Sequence, residues 1–163
     1  MFRRWPPLFL VLALVALPML VLAQARDPNA LPRYVSLRSD EVNLRAGPGM
    51  QYQIEWVIHR RNLPVEIVAE FEAWRRIRDV EGTEGWVHQS MLSARRTALI
   101  TGEVRQILAR PEPEAPVVAT VEPGVVALLT DCREQWCRVD AGGYRGWVRR
   151  GEFWGIYPGE SLR

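Results

Sequence analysis

The sequence predicts an all-β protein, two tandem small five-stranded barrels behind an N-terminal signal peptide. Three observations carry that prediction. A Gly-x-x-Gly-Trp-Val motif is written twice, as GTEGWV at 82–87 and GYRGWV at 143–148. Short β-branched runs are punctuated by Gly and Pro every 8 to 12 residues or so, roughly the rhythm of small sandwiches and barrels. Beyond the leader, no segment sustains a helical period.

The leader comes first. Met1 to Pro7 carries Arg3 and Arg4 and no acid, Leu8 to Ala23 is apolar, and Ala23-Gln24-Ala25 satisfies a small-x-small cleavage rule. These are the three regions of a secretory signal peptide in order. An uncleaved anchor is the competing reading, but the apolar run of about 16 residues falls short of the roughly 20 needed to cross a bilayer. Pro18 also interrupts its second half. The expected layout is a signal peptide at 1–25, cleaved between Ala25 and Arg26, then a short linker at 26–33. A first barrel follows at 34–95, a divergent second at 96–158 and a tail at 159–163. No cysteine follows the cleavage site, so no lipid anchor is indicated. The mature chain is expected in the periplasm or secreted, with no membrane span.

Laying one copy over the other aligns more than the motif. WRRI (74–77) meets WCRV (136–139), LPVEIVA (63–69) meets the PGVVALLT region (123–130), and RAGPG (45–49) meets ARPEP (109–113). A unit of about sixty residues, repeated once, accounts for the mature chain. Within the first copy, Val42-Asn43-Leu44 alternates and stops at the turn Gly47-Pro48-Gly49. Ile54 to Ile58 and Val65 to Ala69 are β-branched runs separated by Asn62-Leu63-Pro64. Trp74 to Val80 ends at Glu81-Gly82, and Gly85-Trp86-Val87 opens the last short strand. The spacer Leu92 to Ala98 has neither Gly nor Pro, so the two barrels are expected to abut.

Charge narrows the function. The 21 basic residues, all arginine, exceed the 19 acidic ones only by Arg3 and Arg4 of the leader. A neutral mature chain argues against a nucleic-acid surface. The doublets Arg60-Arg61, Arg75-Arg76, Arg95-Arg96 and Arg149-Arg150 are expected on solvated faces. Cys132 and Cys137 flank REQ in a turn-like stretch, and export places them where disulfides persist. A disulfide stapling a hairpin is favoured over a thiol pair, and two cysteines without a neighbouring histidine cannot complete a zinc site. A redox-active pair would be expected as Cys-x-x-Cys.

The run VNLRAGPG, followed by a Trp-Val strand, LPVEI, WRRI, GTEGWV and ML, resembles the bacterial SH3 (SH3b) domain. The chain is also similar to exported tandem SH3-like proteins of the alphaproteobacterial type. The resemblance implies a five-stranded barrel, and it points to peptide stems of the cell wall (peptidoglycan) as ligand. The second copy keeps WxxV and GxxGWV but has Gln-Ile-Leu where the first has Asn-Leu-Arg, so its groove is expected to differ.

Strand alternation sorts the candidate residues. Trp74 and Ile77 are three apart and leave opposite faces, as do Trp136 and Val139. If the aliphatic residue is core, the tryptophan faces out. Trp74 and Trp86 then either form a binding platform or cover each other or the seam between barrels. Arg45 and Tyr52 lie on the long first loop, where Arg45 could grip a carboxylate or brace the loop's carbonyls. His88 completes the candidate groove, with Trp136, Trp147 and Tyr144 as second-barrel counterparts.

An enzyme is not expected. His59 and His88 are the only histidines, and no HExxH, P-loop or GxSxG is present. No cofactor and no metal is implied. The leading expectation is a non-enzymatic binder of cell-wall peptide, and the second a periplasmic protein–protein adaptor. The third is a thiol–disulfide protein using Cys132 and Cys137.

Overall fold

In the computed structural model, residues 29–162 are described; the expected leader, with its expected cleavage between Ala25 and Arg26, lies outside them. The first sheet contains β1 (Arg33–Leu37), β2 (Val42–Arg45), β3 (Ile54–Ile58) and β4 (Pro64–Phe71). It continues with β5 (Trp74–Arg78), β6 (Glu84–His88) and β7 (Leu92–Ser93), in the order β3-β2-β6-β5-β4-β1-β7. The second sheet contains β8 (Thr97–Ile100), β9 (Arg105–Leu108), β10 (Val117–Val121) and β11 (Val126–Arg133). Its remaining strands are β12 (Trp136–Ala141), β13 (Tyr144–Arg149) and β14 (Phe153–Trp154), ordered β10-β9-β13-β12-β11-β8-β14. The two sheets have one topology, executed twice.

Each sheet has seven strands rather than five. The sequence concealed β1 and β7 because neither alternates cleanly. Three consecutive residues of β1 are buried, Val35, Ser36 and Leu37, and β7 is two residues long. Both copies align as expected at the tryptophan strand. At the first loop the match is one residue off: Ala46 donates to the Gln53 carbonyl as Ala109 does to Pro116. RAGPG therefore corresponds to the segment beginning at Leu108, not Ala109.

The interiors are aliphatic, apart from Phe153 and the cystine in the second barrel. Val42, Leu44, Val65, Ile77 and Val87 are at most 1% exposed in the first barrel. Ile107, Ala127, Val139 and Val148 fill the equivalent places in the second. These positions alternate along their strands with polar or half-exposed residues, as a sheet covered on one side requires.

The repeated motif has two different reasons for its two glycines. Gly82 and Gly143 turn the preceding hairpins at φ +88° and +94°, a region that a Cβ disfavours. Gly85 and Gly146 have ordinary strand backbone but sit where β6 crosses β2 and β13 crosses β9. A Cβ on Gly85 would lie 2.7 Å from Leu44 Cβ, and one on Gly146 would strike the Leu108 carbonyl. The valine that follows points inward, fully buried in both copies, and the tryptophan between points outward.

Cys132 and Cys137 form a disulfide, facing each other across the β11–β12 hairpin with Cα atoms 4.1 Å apart. The same register position in the first barrel holds Glu70 opposite Arg75, joined by an ion pair of 3.0 Å. One barrel thus closes this hairpin covalently and the other by charge.

Within the arginine doublets Arg60, Arg61, Arg76, Arg95 and Arg149 are exposed as expected, but Arg75 and Arg96 depart from solvated faces. The side chains of Arg75 and Arg96 are only 15% and 19% exposed. Arg75 is held by Glu70 and by the Glu72 carbonyl, and Arg96 by Glu160 at 2.5 Å. Buried guanidinium is tolerable because each is paired and hydrogen-bonded.

The barrels abut. Tyr34 of β1 packs edge-on against Trp154 at 4.8 Å and, tilted by 38°, against Tyr157 at 4.6 Å. The Tyr157 hydroxyl donates to Glu66, which also accepts from Arg78 at 2.5 and 3.0 Å. Thr97 Oγ1 donates to the Asn62 carbonyl at 2.8 Å, and Arg60 to that of Gly124. Burial, followed by the nearby Glu66 carboxylate, pushes the Tyr34 phenol up to about 12.

Candidate functional site

Outward residues of β2, β6 and β5 fall into rows across the first barrel. Arg45 is in register with Trp86, and Trp86 with Arg76; one step along, His88 is in register with Trp74. Directly opposed residues in an antiparallel pair share a face, so Trp74 and Trp86 lie in adjacent rows of one surface. Both are half-buried, whereas Ile77 on the other face is wholly enclosed. Neither tryptophan is needed for the interior, and the seam is filled instead by Tyr34, Trp154 and Tyr157.

The polar members of this set are occupied locally. Arg45 Nη1 donates to the carbonyls of Tyr52 at 2.8 Å and Met50 at 3.3 Å, bracing the loop from inside. The Tyr52 ring lies against Gly47, where a Cβ would come within 2.5 Å of it. The His88 ring meets Trp74 edge-on at 5.6 Å. Its Nδ1 accepts from the Ser90 amide and lies 2.7 Å from Ser90 Oγ, capping the one-turn 3-10 helix Gln89–Met91. Thus Arg45 and His88 are engaged locally and leave the two tryptophans as the outward surface between them.

The second barrel repeats the rows with other residues. Leu108, Trp147 and Arg138 form one row, and Arg149 and Trp136 the next. The Arg149 guanidinium stands 5.2 Å over the Trp136 ring, a cation–π arrangement. A cleft of about 340 Å³ opens beside them, walled by Leu108, Pro113, Arg105 and Glu152. Tyr144 is not part of it. Three residues from Trp147, it points to the opposite side and borders a separate hollow with Ala119 and Val121. Grouping Tyr144 with the two tryptophans is therefore wrong, for the alternation that separates Trp74 from Ile77 also separates them.

Sequence reasoning missed one surface. Met50, Ile54, Trp56 and Val57 are exposed by 73, 46, 59 and 43%, and β3 is the outermost strand of its sheet. The run Ile54-Glu55-Trp56-Val57-Ile58 reads in sequence only as a β-branched strand, and its place at the sheet edge leaves it uncovered. Among the described residues no cluster of metal-ligating side chains is formed, and no helix is long and apolar enough to cross a membrane. Both cysteines are fully buried.

Comparison with known proteins agrees with this architecture. The bacterial SH3 domain family matches residues 38–94 and again residues 103–155. Among curated proteins, none matches. The solved structure of NlpC2 from Trichomonas vaginalis is 12% identical, covering 77% of this chain and 49% of its own, with a TM-score of 0.37. That of NlpC1 from the same organism is 13% identical, covering 81% and 49%, with a TM-score of 0.36. The chain spans about half the length of these two proteins. With two matches in tandem that take in most of its length, and one topology built twice, the chain belongs to the bacterial SH3 domain family.

Proposed function

We propose that this is an exported, non-enzymatic binding protein of the periplasm that holds cell-wall peptide on the outer faces of its barrels. One observation carries the reading. Both barrels place two half-exposed tryptophans at equivalent outward positions, Trp74 with Trp86 and Trp136 with Trp147, while building their interiors mainly from aliphatic residues. Four large aromatics that the core does not require supply flat, rigid contact area for an extended ligand at little entropic cost. The test is retention of the mature protein on purified sacculi. Recovery in the unbound fraction, at protein concentrations up to the millimolar range, would overturn the proposal.

A second reading has its own observation. The exposed edge β3, with Ile54, Trp56 and Val57, could accept a strand from a partner protein and serve an adaptor. The thiol–disulfide reading loses ground, because exchange requires a thiolate to reach a sulfur and both cysteines are enclosed.

A further inference from the structure

The two barrels differ in what their cations are left to do. In the first, Arg45 is spent on loop carbonyls and His88 on Ser90. In the second, Leu108 takes the place of Arg45, and the loop's own Arg110 pairs with Glu112 at 2.6 Å instead. Arg149 stands at the His88 position and lies on Trp136 without an ion-pair partner among the described residues. Arg105, at the position of the buried Val42, lines the same cleft. Among the described residues its one ion pair is with Glu152, at a long 3.9 Å. Glu152 is shared, since it also accepts from the Arg149 backbone amide at 3.2 Å. Two guanidinium groups and one carboxylate leave the cleft one positive charge in excess.

From this asymmetry we infer that the second barrel carries the principal ligand site, and that the Trp136 cleft takes the free carboxylate end of a short peptide. The inference rests on the peptide-binding reading above and makes it specific. The chemistry is complementary at each wall. Arg105, held by Glu152 only at 3.9 Å, has guanidinium charge to offer an anionic oxygen, and charge-assisted hydrogen bonds of this kind are the strong ones. Arg149 adds a second donor already held flat by the indole, so little side-chain freedom is lost on binding. Leu108, Pro113 and Trp136 offer apolar contact to the side chain of the terminal residue. A volume of about 340 Å³ accommodates one or two residues rather than a long segment.

The experiment uses the mature chain and two probes, N-acetyl-Lys-D-Ala-D-Ala with a free C-terminal carboxylate and the same peptide as its C-terminal amide. Amide and indole NMR shifts follow each titration. The acid should move the Trp136 and Trp147 indole signals and bind at least tenfold tighter than the amide. Arg105→Gln and Arg149→Gln should each weaken the acid about tenfold while leaving the weak binding of the amide unchanged. Each variant's unperturbed spectrum confirms that it is folded. Equal affinity for acid and amide, shifts confined to Trp74 and Trp86, or no binding of the acid would each overturn the inference. Retention on sacculi is measured in parallel. If wild type is retained but the cleft variants are retained equally, the cleft is wrong and the wall-binding reading survives. If wild type is not retained, that reading falls as well.

Discussion

Alanine at Gly85 should damage the first barrel for a reason different from alanine at Gly82, and asparagine tells the two apart. A Cβ on Gly85 would sit 2.7 Å from Leu44 Cβ, where carbon pairs rest at about 3.5 to 4.0 Å. Leu44 is fully buried, so β2 itself must retreat by close to an ångström. Overpacking of that kind costs about 1 to 3 kcal/mol. At Gly82 a Cβ meets nothing within 4 Å, but the backbone has φ +88°. The penalty there is conformational, about 1 to 2 kcal/mol for alanine, and asparagine tolerates the region better. In a barrel of this size each kcal/mol moves Tm by roughly 4 to 8 °C. Gly82→Asn should therefore melt above Gly82→Ala, whereas Gly85→Asn should melt below Gly85→Ala. Hydrogen exchange adds a local readout, with Gly85→Ala exposing the amides of β2 and β3 before those of β4 and β5. If Gly85→Ala melted within about 2 °C of wild type, the crossing would not be tight and this account of the motif would fail.

Ile77→Ala empties a fully buried site and should cost about 2 to 5 kcal/mol. Trp74→Ala should cost the fold less but reduce sacculus retention if the first barrel contributes; equal unfolding by both would place Trp74 in the core. Opening the Cys132–Cys137 bridge with Cys132→Ser should destabilise the second barrel by about 2 kcal/mol, the loop-closure value for so short a ring. The first barrel is then an internal control with its Glu70–Arg75 pair, and equal losses in both would count against the assignment. The seam should also respond to alkali. A phenol raised from 10 to about 12 stabilises the docked state below pH 10, and that contribution disappears as pH rises from 10 to 12. Tyr34→Phe should remove this loss, seen as a flatter dependence of Tm on pH across that window; parallel curves would exclude Tyr34 as the cause.

What the sequence determined by itself was local or periodic. The repeat of Gly-x-x-Gly-Trp-Val implies a unit built twice, because one chain segment with one pattern of turns and alternation has one way to pair. Alternation likewise puts Ile77 and Trp74 on opposite faces without reference to any partner strand. The hairpin around Cys132 and Cys137 was legible for the same reason, both cysteines being near in sequence. Tertiary structure decided what depends on distant residues. Whether Arg45 faces ligand or loop turned on the carbonyls of Met50 and Tyr52, and whether β3 is core or edge turned on strand order. The seam between Tyr34, Glu66 and Tyr157 joins residues up to 123 positions apart, which no local pattern marks. The charge of the Trp136 cleft is of this kind too. It arises because Arg105 and Arg149, on strands β9 and β13, are brought to one wall with a single carboxylate between them.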